Sequence, residues 1–157
     1  MLRKYLLIFL VSMVPLVELR GAIPIAVGMG LNYWESLVIC VIGNMLPVPV
    51  IYFFARKVLI WGAHRKYIGK FFTFCLEKGE RAGRKLTKAA GRKGLFLAIM
   101  LFVGIPIPGT GAWTGTLGAS FLNMGFKSTV VAVCLGVIIA GCIMGLASAG
   151  VFHIFGL

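Results

Sequence analysis

Charged residues are scarce in this 157-residue chain, and acidic residues are the scarcest of them. Only 13% of the residues are charged and four are acidic, whereas 60% are hydrophobic. A typical soluble domain carries about a quarter charged residues and a smaller apolar share. The composition therefore excludes an ordinary soluble domain and predicts one all-α, polytopic membrane domain, because helices satisfy their own backbone groups in lipid.

The sequence also lacks the patterns of metal, disulfide and catalytic sites. Its four cysteines are scattered, and three lie in apolar segments where a free thiol packs as a small hydrophobe. The two histidines, His64 and His153, are expected at the membrane interface. No nucleophile–base pair, metal-ligand set or phosphate-cleaving motif is apparent. We therefore predict neither an enzyme nor a bound metal or cofactor.

The N-terminus lacks the signal for cleavage of a leader. Arg3 and Lys4, followed by an apolar run, resemble the start of a signal peptide. Glu18 and Arg20, however, occupy positions where a cleavage site needs small residues. We expect this segment to be retained.

Positive charge is concentrated in one segment, since twelve of the sixteen Lys and Arg lie between Arg56 and Lys93. A short basic loop between membrane segments is typical of a cytoplasmic connection, so the net charge of +12 indicates topology rather than nucleic-acid binding. Apolar residues such as Ile68, Phe72 and Leu76 recur at helical spacing within it. This pattern predicts a helix on the membrane surface whose basic face is solvated or contacts anionic lipid headgroups.

A break interrupts the apolar pattern of the second half at residues 105–115, which read Ile-Pro-Ile-Pro-Gly-Thr-Gly-Ala-Trp-Thr-Gly. Pro106 and Pro108 remove two backbone donors, and Gly109 and Gly111 allow left-handed dihedrals, so a helix cannot continue here. Bare backbone groups cost several kcal/mol each in lipid and are tolerated only inside protein or beside a wet cavity. We therefore predict a functional site at this break.

A second break is predicted at residues 18–25, which share the Ile-Pro-Ile core through Pro24. The single domain then divides into a first half (1–55), a basic loop with an amphipathic helix (56–94) and a second half (95–157). Broken helices in corresponding positions of two halves are typical of transporter sites. If the broken segments span the membrane, both termini are cytoplasmic; if they are re-entrant hairpins, both are external.

Two longer apolar segments are predicted to span the membrane without such a break. The first is 36–55, where Pro47 and Pro49 should kink the helix, and the second is 128–155. Asn44 is the strongly polar residue of the first span. We expect it to cap freed carbonyls or to bond a neighbouring helix.

Glu18 and Arg20 are the ionisable residues at the two breaks. Because a charge is costly within lipid, each is expected to face protein or water and to carry a function, or the two form an ion pair that holds a hairpin. Arg20 suits a phosphate or carboxylate, since its guanidinium is always charged and fork-shaped. Glu18 is predicted to exchange a proton during transport, because a desolvated carboxylate binds a proton more readily.

The second break offers further donors to the same anion. The turn at 109–112 can present successive N–H groups at the start of a half-helix, with Thr110 as the predicted cap. Thr114 adds a hydroxyl, and Trp113 is predicted either to stack on a ligand or to anchor an interface. The predicted anion-binding residues are Arg20, Gly109, Thr110, Gly111, Ala112 and Thr114.

Both motifs resemble those of the small multidrug export protein family. The first is Glu-x-Arg-x-x-Ile-Pro from Glu18 to Pro24, and the second is Pro-x-Pro-Gly-Thr-Gly-Ala-x-x-Gly from Pro106 to Gly115. That family is similar, more distantly, to the DedA superfamily of lipid-handling membrane proteins. The resemblance implies two re-entrant hairpins, a functional acid and arginine, and movement of polyprenyl phosphates or phospholipids between leaflets. This chain departs from DedA proteins at Thr110, where those proteins usually carry an acidic residue.

Three functional hypotheses follow from these observations. We predict a proton-coupled translocase of a phosphate-bearing lipid, such as a polyprenyl phosphate. The main alternative is a proton-coupled exporter of small cationic drugs centred on Glu18, although Arg20 would repel a cation. A third hypothesis is a non-transporting membrane assembly protein. We expect a homodimer in the cytoplasmic (inner) membrane of a bacterium or archaeon, with membrane lipid as its partner.

Overall fold

A computed structural model describes residues 1–107 and 109–154, without the side chain of Phe152. Two predicted features, the break at Pro108 and the end of the last span at Phe155, lie outside the described residues. The described residues form seven helices and no strand, which confirms the all-α prediction. The helices are α1 Leu2–Met13, α2 Glu18–Gly28, α3 Tyr33–Met45, α4 Val48–Ala63, α5 Gly69–Gly104, α6 Ala112–Phe121 and α7 Phe126–Ile154.

Helices α1 and α2 form the first hairpin. Each is too short to cross a bilayer, which needs about 20 residues. The two helices pack together, and the Lys4 ammonium near the start of α1 donates to the Met29 carbonyl just after α2, at 3.1 Å. The chain therefore turns back on itself between them, as a re-entrant hairpin would.

The prediction that Pro24 marks the first break is wrong, because Pro24 lies inside α2. The helix breaks instead at residues 14–17, which contain Pro15. Pro24 is accommodated at the loss of the hydrogen bond that its missing N–H would have donated to the Arg20 carbonyl. As a consequence, Glu18 and Arg20 stand in the first turn of α2.

Helices α5 and α6 form the second hairpin around the break at residues 105–111. Gly115 of α6 lies against Val103 and Phe102 near the end of α5, and Leu122 lines the same cavity as Leu95 further back on α5. Helix α6 is therefore a short arm that returns along the last part of α5. This pairing agrees with the predicted architecture of two broken helical hairpins.

The basic segment is continuous with the second hairpin. Its residues 56–63 belong to the end of α4, and its residues 69–94 form the first part of α5, which turns sharply at Gly91, where φ is 70° and ψ is 180°. Gly79 and Gly83 of this part lie directly against the backbone of Phe121 and Leu122 at the end of α6. The amphipathic helix is thus packed on the bundle along one edge; its contact with a membrane surface stays a prediction.

Among the described residues, two segments are long and apolar enough to cross a membrane, Tyr33–Ala63 and Phe126–Val151. The first comprises α3 and α4 and is interrupted at Leu46–Pro47, as its prolines predict. Asn32 caps its start, because its side-chain oxygen accepts from the Trp34 and Glu35 N–H groups. The helices of these segments pack against both hairpins.

Helix α2 lies at the centre of the bundle, between α1, α3 and α7. Leu19 is fully buried and approaches α7 at Gly141, where a Cβ would collide with Leu37 and lie tightly against Leu19. The Tyr33 hydroxyl donates to the Gly141 carbonyl at 3.1 Å and ties α3 to the same point. This packing fixes Leu19, and with it the adjoining Glu18 and Arg20.

Candidate functional site

The Glu18 carboxylate caps a helix that begins 94 residues later in the chain. Its two oxygens accept hydrogen bonds from the backbone N–H groups of Ala112, at 3.3 Å, and Trp113, at 3.2 Å. Glu18 is only 4% exposed and holds a left-handed φ of 50°, which is uncommon for a residue with a side chain. A negative charge thus sits on the positive end of α6, where the helix dipole favours it.

Gly111 is the residue that lets the carboxylate come so close. It occupies the position before the first turn of α6, and a Cβ built on it would overlap the Glu18 carboxyl group. A side chain at Gly111 and the bonds from Glu18 to the α6 N-terminus therefore exclude each other. Glycine is required at this position because of the close approach of Glu18. Its backbone conformation does not require glycine, since a φ of −79° is open to any residue.

Arg20 satisfies the backbone carbonyls on the other side of the same break. Its Nη1 donates to the Ile107 carbonyl at 2.5 Å, and its Nη2 lies within 3.0 Å of the carbonyl oxygens of Val103, Ile105 and Thr110. The planar, five-donor guanidinium is suited to this task because it can bond several acceptors at once. Arg20 therefore holds the irregular segment between α5 and α6 in place.

The two charges complement the two ends of the broken helix. Arg20 lies at the end of α5, where orphan carbonyls carry partial negative charge, and Glu18 lies at the start of α6, where orphan N–H groups carry partial positive charge. Within the described part of the chain no ion pair joins Glu18 to Arg20. The hypothesis of a direct ion pair is therefore wrong for this conformation, since each charge is bonded to the backbone of the second break.

The two breaks meet at a cleft of about 420 Å³. Its polar lining comes from Glu18, Arg20 and Thr114 and from the backbone of Gly109 and Gly111. Pro15, Leu16 and Met144 form the apolar part of the wall. This volume lies within the range of small-molecule sites, and the mixed lining suits a ligand with one charged end and one apolar end.

The remaining predicted site residues have internal partners. The predicted cap is wrong, because Gly111 occupies the N-cap position and the Thr110 hydroxyl bonds the Ile105 and Ile107 carbonyls instead. The Thr114 hydroxyl donates to the Gly109 carbonyl at 2.7 Å. These bonds stabilise the turn between the helices, and the role of its residues in binding a ligand stays a prediction.

Trp113 was predicted to stack on a ligand or to anchor an interface. Its backbone N–H bonds Glu18 and its side chain is half-buried. The indole Nε1 is buried and has no hydrogen-bond partner among the described residues. The contacts favour neither hypothesis, so both stay open.

Asn44 belongs to the site, although the sequence indicated it only as a polar residue within a span. It is 2% exposed, and its Oδ1 has no hydrogen-bond partner in the described part of the chain. Asn44 lines a narrow void together with Glu18, Arg20 and Gly111, in which there is no space for a water molecule. The Asn44 Oδ1 is thus an unused acceptor beside the buried carboxyl group, and the expectation that Asn44 caps carbonyls or bonds a neighbouring helix stays a prediction.

A family model described as "Putative small multi-drug export protein" matches residues 18–143. The match begins at Glu18 and contains both Arg20 and the second break, so it covers the site. No curated protein and no solved structure matches the chain. Within residues 1–107 and 109–154, no three His, Cys or acidic side chains come together as metal ligands.

Proposed function

The chain belongs to the small multidrug export protein family and is a membrane transporter, and on that premise we propose that its cargo is a phosphate-bearing lipid. The observation that supports this proposal is the position of Glu18, whose carboxylate occupies an anion site made by the α6 N-terminus. Arg20 lines the same cleft. The more distant DedA similarity stays a prediction.

In the proposed mechanism, a phosphate takes the place of the Glu18 carboxylate. Hydrogen bonds to a charged acceptor are roughly twice as strong as neutral ones, so a proton on Glu18 weakens its hold on the N–H groups of Ala112 and Trp113. A phosphate oxygen then binds these two donors, as anions do at helix N-termini. Proton uptake and phosphate binding are thereby coupled, because two anions compete for one site.

The apolar wall of the cleft suits the remainder of such a lipid. Leu16 is 95% exposed and stands at the cleft together with Pro15 and Met144. A cleft of about 420 Å³ holds a phosphate and the first part of a chain, so most of the lipid tail would stay in the bilayer. The protein then has to shelter only the charged end during transfer between leaflets.

Asn44 completes the proposed proton step. A protonated carboxyl group carries an O–H that needs an acceptor. The Asn44 Oδ1 is a buried acceptor beside the same void, and it has no partner within the described ranges. We propose that protonated Glu18 turns from the α6 N-terminus and donates to Asn44. An unsatisfied buried acceptor of this kind lowers stability, and the proposed proton step gives it a partner.

Replacement of Asn44 is expected to change stability and transport in opposite directions. Asn44→Leu is expected to raise stability by about 1 kcal/mol, because it removes a buried unpaired acceptor, and to slow proton-coupled transfer. The control is Ser36→Ala on the same helix, since the Ser36 hydroxyl is equally buried and has no partner among the described residues, but does not line the void. Thermal unfolding and transfer assays compare the two variants. Unimpaired transfer in Asn44→Leu would exclude Asn44 from the proton step.

The proposed function is tested by transfer of a fluorescent short-chain polyprenyl phosphate between leaflets of proteoliposomes. Wild type is expected to transfer the lipid faster under a pH gradient, whereas Glu18→Gln is expected to show no gradient response, because Gln keeps the side-chain shape without a titratable proton. Glu77→Gln, which alters an exposed carboxylate on the basic helix, serves as the control. A wild-type response to the gradient in Glu18→Gln would refute the role of Glu18.

Export of drugs is the alternative that the family description suggests, and we take such drugs to be small cations. Here the buried Glu18 carboxylate would hold the cation. Arg20 argues against it, because its guanidinium lines the same cleft and repels a cation. Proton-driven uptake of a lipophilic cation by the same proteoliposomes, without lipid transfer, would establish this alternative and refute the lipid proposal.

We also propose that the protein works as a homodimer in the cytoplasmic membrane of a bacterium or archaeon. At 17.0 kDa the chain is small for an alternating-access transporter. Crosslinking in native membranes, followed by mass measurement, tests this assembly.

A further inference from the structure

A second cavity lies away from the cleft, between the basic part of α5 and the turn from α6 to α7. Its volume is about 640 Å³, within the range of small-molecule sites. Arg84, Lys88 and Arg92 line it. Arg84 and Lys88 are four residues apart and share one side of α5, whereas Arg92 follows the turn at Gly91. Asn123 and Ser128 add polar side chains from the opposite wall.

The charge inside this cavity is unbalanced. Glu80 is the acid that lines it, and its carboxylate lies 3.4 Å from the Arg84 guanidinium, with which it forms an ion pair. Within the described ranges, no carboxylate pairs with Lys88 or Arg92. Three cations and one anion therefore face the cavity, which leaves an excess of two positive charges for a ligand to neutralise.

The walls of the cavity are held by close backbone contacts. Gly83 lies against the backbone of Leu122, where a Cβ would collide with it. The Thr87 hydroxyl donates to the Gly83 carbonyl at 2.8 Å, and Asn123 takes a left-handed φ of 56° in the turn. The cations are thus presented by a helix that is packed on the bundle, rather than by a free surface loop.

From the cavity, its excess charge and its fixed walls, we propose that it is a binding site for a phosphate group. The cavity shares no lining residue with the cleft between the two breaks, so this proposal stands whether or not lipid transfer is confirmed. The phosphate group belongs either to an anionic lipid headgroup or to a soluble phosphate. Arginine binds such an oxyanion through two parallel bonds and lysine through its charge.

Binding assays on the full chain in phosphatidylcholine nanodiscs test the proposal. One arm measures inorganic phosphate by calorimetry, and the other measures retention of phosphatidic acid by native mass spectrometry. The test variant is Lys88→Gln with Arg92→Gln. The matched control is Lys85→Gln with Lys93→Gln, which removes the same charge from exposed residues of α5 outside the cavity.

The cavity variant is expected to bind its phosphate probe at least about tenfold more weakly than the control, because it loses two charge-assisted contacts. A loss confined to phosphatidic acid assigns the site to a lipid headgroup, and a loss confined to inorganic phosphate assigns it to a soluble ligand. Equal binding by the two double variants in both arms would overturn the proposal and attribute binding to general charge. Either single variant, Lys88→Gln or Arg92→Gln, gives a milder test if the double variant fails to fold.

Discussion

Arg20→Ala is expected to reduce transfer of polyprenyl phosphate by about two orders of magnitude, the size of effect seen when a preorganised oxyanion donor is removed. The substitution takes away the guanidinium that lines the cleft and also the donors of four backbone carbonyls at the second break. Because these bonds are partly exposed, the expected loss of stability is modest, at about 1–2 kcal/mol. Transfer in proteoliposomes and thermal unfolding in detergent measure the two effects separately.

Two variants control for the loss of charge and for the loss of structure. Arg3→Ala removes an exposed arginine from α1 and should leave transfer unchanged. Arg20→Lys keeps the charge but cannot reach the same carbonyls with a flat five-donor group, so an intermediate rate is expected. A folded Arg20→Ala protein that transfers the lipid at the wild-type rate would exclude Arg20 from cargo binding.

Gly111→Ala is expected to disconnect Glu18 from helix α6. The new Cβ would occupy the space of the Glu18 carboxyl group, so the carboxylate has to leave the N–H groups of Ala112 and Trp113. Overpacking of this kind typically costs about 1–3 kcal/mol. We expect a loss of stability in this range and at least about a tenfold loss of pH-driven transfer, because a displaced carboxylate no longer competes with the phosphate.

Helix α6 offers a matched control in Gly118. A Cβ on Gly118 would have nothing within 4 Å, so Gly118→Ala tests the same exchange on the same helix without the collision. It is expected to preserve transfer and to raise stability by up to about 1 kcal/mol through helix propensity. If both variants behaved alike, the contact between Gly111 and Glu18 would have no functional importance.

Much of the fold was predictable because it follows from local rules. Composition identified a helical membrane protein, and the cluster of two Pro and two Gly at 105–111 located the second break, because such a cluster removes backbone donors and favours non-helical dihedrals. The interruption of the first span at Pro47 was predictable for the same reason. Family membership followed from the motifs that begin at Glu18 and Pro106, and the match confirms it.

The contacts within the site depend on tertiary structure and could not be derived from the sequence. The sequence singled out Glu18 and Arg20, but nothing local indicates that they bond the backbone of the second break rather than each other. The partners of Arg20 lie more than 80 residues away along the chain. The error at Pro24 is also instructive, because a helix inside a packed bundle tolerates a proline that would end an isolated one. That the Asn44 oxygen lacks a partner emerges only when its surroundings are known.

The most direct test of the central claim is a measurement of 15N–31P dipolar couplings by solid-state NMR. The protein carries 15N at the amides of Ala112 and Trp113 and is placed in membranes of phosphorus-free lipids. A short-chain polyprenyl phosphate is then added, so that it supplies the 31P signal. Coupling of the lipid 31P to both amides is predicted at low pH in wild type, and also near neutral pH in Glu18→Gln, where no carboxylate competes. Absence of coupling to these amides under either condition, while the lipid couples to other residues of the protein, would contradict the exchange of carboxylate for phosphate.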